Sequence, residues 1–133
     1  MILTGFAAVT APAAGQAEAK QAEPAVIVVL GDSLSAAYGM EISESWPSLL
    51  QARLGEHGYA YRVFNSSITG DTTQGGLARL PRLLEKHRPA VVILELGGND
   101  GLRGLPLEVT RANLSSMIEQ SQAVGTAVIL AEM

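Results

Sequence analysis

Val26–Leu30 is a run of five apolar residues, four of them β-branched, leading directly into Gly31-Asp32-Ser33-Leu34-Ser35. A half-exposed strand would alternate apolar with polar residues, so an unbroken run predicts a strand covered on both faces. Such strands belong to parallel sheets layered between helices, where ligands are met at the carboxyl ends of the strands. Ser33 stands at that position. Taken alone, the same residues also describe an ordinary turn in which Asp32 or Ser33 caps a helix. The rest of the chain decides between the two.

The pattern recurs. After an irregular connection, Ser45 supplies an N-cap and Pro47 suits the first turn of a helix over Trp46–His57. Leu49, Leu50 and Leu54 give that helix an apolar face, and Gly55 or Gly58 ends it. Tyr61–Asn65 predicts a short second strand, followed by the capping-rich turn Ser66–Thr72. Leu77, Leu80 and Leu84 keep helical spacing through Thr73–His87, with Pro81 expected to kink or divide the helix and Pro89 to close it. Ala90–Leu96 is a second near-continuous apolar run, stopped by the Gly/Asn-rich turn Gly97–Gly101. Leu107–Val124 predicts a long helix with Leu114, Met117, Ile118 and Ser121 on one face and Gly125 as its stop. Thr126–Met133 begins a fourth strand.

Strand–helix alternation with short turns implies a parallel sheet covered on both faces. Right-handed crossovers place every strand's carboxyl end on one edge. The turns holding Ser33, Gly70 and Asn99 are therefore expected on a single rim. Together these residue types suit acyl chemistry. A serine can attack a carbonyl, and backbone N–H groups at Ser33 and Gly70, with the Asn99 amide, can hold the oxygen that gains charge. Each could instead be a plain turn residue; their meeting on one edge is what favours chemistry.

Composition sets the boundaries. With 133 residues the chain is one domain's worth, and a net charge of −4 leaves no basic stripe for nucleic acid. The absence of cysteine excludes a disulfide framework and thiolate metal ligation. The two histidines, His57 and His87, are too few and too far apart for a histidine metal cluster, and no cofactor motif is present. Residues 1–22 read as a signal-peptide-like or disordered tail. Met1–Ala19 is Ala-rich, opens apolar and carries Ala17-Glu18-Ala19, which predicts an export signal and a periplasmic or secreted protein. It is too short and polar to span a membrane, so no stable membrane insertion is expected. Residues 23–133 hold the fold.

The wording of the turns resembles a known family. Gly31-Asp32-Ser33-Leu34-Ser35, Gly70-Asp71 and Gly97-Gly98-Asn99-Asp100 are similar to the first three blocks of the SGNH (GDSL) hydrolases. Ala36-Ala37-Tyr38-Gly39, Trp46-Pro47, Gly75–Pro81 and Glu95–Gly104 resemble the bacterial periplasmic thioesterase I/lysophospholipase/arylesterase branch. The resemblance implies a flavodoxin-like three-layer α/β/α fold and ester or thioester hydrolysis of small acyl substrates without a cofactor. It also implies Ser33 as nucleophile, with the Ser33 and Gly70 amides and the Asn99 side chain as oxyanion hole.

One block of that family, an Asp-x-x-His carrying the base and its orienting acid, does not occur in the 133 residues. His57 and His87 sit at helix ends that lead back to strand starts, away from Ser33, and read as solvated helix-end residues. The chain also stops in mid-strand, so a fifth strand, its loops and a closing helix are expected beyond Met133, with this chain inactive by itself. Two alternatives remain open: a carbohydrate O-acetylesterase, and a non-catalytic nucleotide- or flavin-binding module. The second lacks a Gly-x-Gly-x-x-Gly or P-loop pattern in its first turn.

Overall fold

The computed structural model describes residues 22–132; the signal-like stretch Met1–Ala19 lies outside the described residues. Four strands, β1 (Ala25–Gly31), β2 (Tyr61–Asn65), β3 (Val91–Glu95) and β4 (Ala127–Leu130), form one parallel sheet in the order β2-β1-β3-β4. Helices α1 (Trp46–Glu56), α2 (Thr73–His87) and α4 (Leu107–Ala123) connect them, with the one-turn α3 (Gly98–Leu102) after β3. The expected α/β architecture is the observed one.

Alternation along the central strands divides the core into two layers. Val28, Leu30, Val92 and Leu94 face α2 and α4, where Leu80, Leu84 and Met117 complete the larger cluster. Ile27, Val29 and Ile93 face the other way, against Trp46, Leu50 and Leu54. The unbroken apolar runs are thus explained, since both faces of β1 and β3 are covered. Each fully buried Leu or Val contributes roughly 1.5–3 kcal/mol over an exposed one. On α4, Leu114, Met117, Ile118 and Ser121 form the inward face as expected.

Several expectations are corrected. Leu49 is exposed, because the α1 stripe repeats every four residues through Trp46, Leu50 and Leu54, and Leu49 lies about 100° from it. Pro81 does not divide α2. It sits on the exposed face, while Leu80 and Leu84 on either side are locked in the core. β1 runs one residue past the apolar run, to Gly31, which is paired with Glu95. Residues 33–39 are successive turns, not the start of a helix. The Gly/Asn turn after β3 contains α3 instead, which Gly97 opens with a φ of 129° that a Cβ would oppose.

Candidate active site

Register brings the three turns together. Gly31 is paired with Glu95 and Val29 with Asn65, so β1, β2 and β3 end at one edge. The second turn stays zipped to β1, the Ser66 N–H donating to the Val29 carbonyl at 2.8 Å and Ile68 N–H to that of Gly31 at 3.0 Å.

At this rim the Ser33 hydroxyl has no hydrogen-bond partner among the described residues, and it is not buried away from solvent. The backbone N–H groups of Ser33 and Gly70 are likewise unpaired among the described residues, whereas those of Asp32, Leu34 and Asp71 beside them are bonded. Gly70 holds a φ of 80°, the left-handed conformation that favours glycine. The Asp32 carboxylate folds over the turn, Oδ1 accepting the Leu34 N–H at 3.0 Å. Asn99 reaches across from α3: its Nδ2 donates to the Asp71 carbonyl at 2.9 Å and to Asp32 Oδ2 at 3.2 Å. Both hydrogens of that amide are therefore engaged. Donation to an oxyanion would replace the longer bond to Asp32.

Two buried carboxylates brace the rim, and sequence reasoning assigned neither a role. Glu95, 5% exposed at the end of β3, accepts the Ser35 hydroxyl at 2.6 Å and the Asp32 N–H at 3.4 Å through Oε2. Ser35 Oγ in turn accepts the Trp46 indole N–H at 3.0 Å, and Asn65 Nδ2 donates to the Ser35 carbonyl at 2.6 Å. Burial, and then the Asp32 charge, push the Glu95 carboxyl above its ordinary range, against the Ser35 hydrogen bond. Its signal in the sequence was a lone carboxylate inside an apolar strand.

Asp100, 1% exposed, accepts from the Thr73 N–H at 2.8 Å, the Thr73 hydroxyl, and the Thr110 hydroxyl at 2.9 Å. Burial opposes its ionisation, but those donors outweigh burial and hold it below the usual carboxylate range. Arg79 fixes the second turn from α2, one guanidinium nitrogen on Asp71 at 2.6 Å and another on the Ser66 carbonyl at 2.6 Å.

Neither histidine hydrogen-bonds Ser33 among the described residues. His57 is exposed at the end of α1, its Nδ1 against the Arg53 carbonyl. His87 corrects the expectation of a solvated ring. It packs on Phe64 of β2 with ring centroids 4.0 Å apart, and burial, then Lys86, lower its pKa. It ends the 15-residue α2, about 20 Å along the helix from Thr73 at the rim. No cluster of metal-ligating side chains and no helix long and apolar enough to cross a membrane occurs among the described residues.

Comparison with known proteins gives this geometry its relatives. The profile of the "GDSL-like Lipase/Acylhydrolase family" matches residues 29–133. The chain is 52% identical over 111 residues to Esterase TesA of Pseudomonas aeruginosa, covering 84% of this chain and 55% of that protein. It is 44% identical over 107 residues to Thioesterase 1/protease 1/lysophospholipase L1 of Escherichia coli K12, covering 80% of this chain and 50% of that protein. A crystal structure of TesA superposes with a TM-score of 0.80 at 52% identity, over 81% of this chain and 60% of that one. The chain thus spans about half the length of the curated relatives it matches. With three turn motifs converging on one rim and a family profile that covers most of its length, the chain belongs to the GDSL-like lipase/acylhydrolase family.

Proposed function

We propose that the full-length protein is a serine hydrolase that cleaves carboxylic esters or thioesters of apolar acyl groups through an acyl-enzyme on Ser33. The observation that carries this reading is the free Ser33 hydroxyl on the same rim as two unpaired N–H groups, those of Ser33 and Gly70. Ser33 Oγ bonds to the carbonyl carbon and gives its proton to a general base. The carbonyl oxygen, now an anion, is held by the two N–H groups and the Asn99 amide. Collapse expels the alcohol or thiol with that proton, and water then releases the acid. The base in this reading is the histidine of an Asp-x-x-His block, since His57 and His87 are placed elsewhere.

Exposed apolar side chains support an apolar acyl substrate over an acetylated sugar. Leu34, Tyr38, Met40 and Ile42 follow the nucleophile, Ile68 lies in the second turn, and Leu102 ends α3. Tyr38 is 73% and Leu102 86% exposed, although both are large and apolar. Export to the periplasm is proposed from the composition of Met1–Ala19, and cell fractionation of the full-length protein tests it.

The deciding experiment is labelling of the full-length protein with a serine-directed phosphonate, followed by peptide mass spectrometry. Modification at Ser33 that Ser33→Ala abolishes, together with loss of p-nitrophenyl ester hydrolysis, supports the reading. Labelling at another serine in a folded Ser33→Ala protein overturns it.

A further inference from the structure

Glu95 is an anomaly in its strand. Every other residue of Ala90–Leu96 is apolar, and Val92, Ile93 and Leu94 are core. A buried carboxylate is costly unless it is paired, and here Oε1 has no partner among the described residues. Among the described residues no cation lies against it; the nearby charge is that of Asp32, which opposes its ionisation. A leucine would fill the same space without that cost, so the carboxylate does something that packing does not.

Its contacts say what. Oε2 takes the Asp32 N–H on one side of Ser33 and the Ser35 hydroxyl on the other. The backbone of the paired strand yields space for this. A Cβ on Gly31 would lie 2.7 Å from Glu95 Oε2 and 2.7 Å from Ser35 Oγ, so only glycine lets the carboxylate reach the turn. Ser35 passes the restraint on to Trp46 at the start of α1.

We propose that Glu95 is a positioning residue for the nucleophile, clamping the residues on both sides of Ser33 so that its hydroxyl and N–H face the substrate carbonyl. Glu95 touches no substrate; it acts through the backbone on which both reacting groups ride. The proposal rests on the Ser33 esterase reading. A displacement of about 1 Å at a reacting centre can cost roughly 10²-fold in rate, which sets the expected scale.

The test uses the full-length protein with Glu95→Leu, which keeps volume and removes the acceptor, and Glu95→Gln, which keeps an acceptor oxygen. Glu95→Leu is expected to lower kcat for a p-nitrophenyl ester by about 10²-fold with little change in KM. Glu95→Gln is expected to restore most of that loss. Trp46 is the single tryptophan of these 133 residues, and the part of the full-length protein's fluorescence that Trp46→Phe removes reads the Ser35 junction without turnover. Its emission should shift in Glu95→Leu and stay near wild type in Glu95→Gln. Should Glu95→Leu fail to fold, Ser35→Ala carries the same comparison, with a fall in kcat and a shifted Trp46 emission expected. An unchanged kcat in Glu95→Leu, in a protein that Ser33→Ala silences, overturns the proposal; so does an equal loss in the Leu and Gln variants. Activity surviving Ser33→Ala would overturn the esterase reading instead, and the Trp46 emission would still decide whether Glu95 holds this turn.

Discussion

The Asp100 carboxylate accepts the backbone N–H of Thr73 at 2.8 Å, joining the third turn of the rim to the first turn of α2. With the Thr73 and Thr110 hydroxyls on its other oxygen, Asp100 ties α2, α3 and α4 together just behind Gly70 and Asn99. Asp100→Ala leaves buried donors without an acceptor, each worth about 1–3 kcal/mol. A loss of about 3 kcal/mol or more is expected, measured by urea unfolding of the full-length protein. A loss under 1 kcal/mol would mean that the clamp does not bear on stability.

The two carboxylates predict opposite pH behaviour. Asp100 has a lowered folded-state pKa, so its contribution is present above the unfolded value near 3.9 and is lost as pH falls through the folded one. Asp100→Asn should flatten the acid side of the stability curve. Glu95 has a raised pKa, so stability is full below its unfolded value near 4.3 and declines as pH rises through the folded one. Relative to wild type, Glu95→Gln should therefore gain stability between pH 4 and neutrality. Denaturant midpoints across that range check both signs.

Asn99→Ala removes the one side-chain donor of the proposed oxyanion hole. Loss of such a donor costs about 10²–10³ in kcat with a much smaller change in KM. Because the same amide bridges Asp32 and the Asp71 carbonyl, a modest loss of stability should accompany it. Steady-state kinetics separates the roles, and a mutant changed only in KM would make Asn99 a binding residue.

Gly70→Ala places a side chain at a φ of 80°, a conformation that costs a non-glycine residue roughly 1–2 kcal/mol. The space around Gly70 is open, with Arg103 Nη2 at 3.8 Å from the position of a Cβ, so the effect is conformational rather than steric. Gly31→Ala is the steric counterpart: it crowds Glu95 and Ser35, and overpacking of that kind costs about 1–3 kcal/mol. Both variants should lose kcat, Gly31→Ala also shifting the Trp46 emission. Thermal melts and fluorescence spectra distinguish the two causes.

The layers of the fold were legible because they are written locally. Val26–Leu30 and Ala90–Leu96 declare buried strands by their lack of alternation, and α4 declares its inner face by a repeat near 3.6. The turns carrying Ser33, Gly70 and Asn99 could be placed on one rim from chain direction alone. The face of α1 was misjudged at Leu49 because adjacent leucines do not say which of them the sheet will cover. Pro81 was misjudged because the cost of one lost ladder bond depends on how firmly its neighbours are anchored.

By itself, then, the sequence determined the four strands and the three long helices, the direction in which they run, and which turns meet, but not the one-turn α3. Tertiary structure alone decided the contacts inside the rim: Glu95 on Ser35 across 60 residues, and Asn99 on Asp32 across 67. Those pairings follow from the strand order β2-β1-β3-β4 and from a register that sets Gly31 opposite Glu95. A slip of one residue in that register would turn Glu95 to the other face of the sheet and leave the nucleophile's turn unbraced. Register is settled by the packing of both core layers at once, and no local stretch of sequence encodes it.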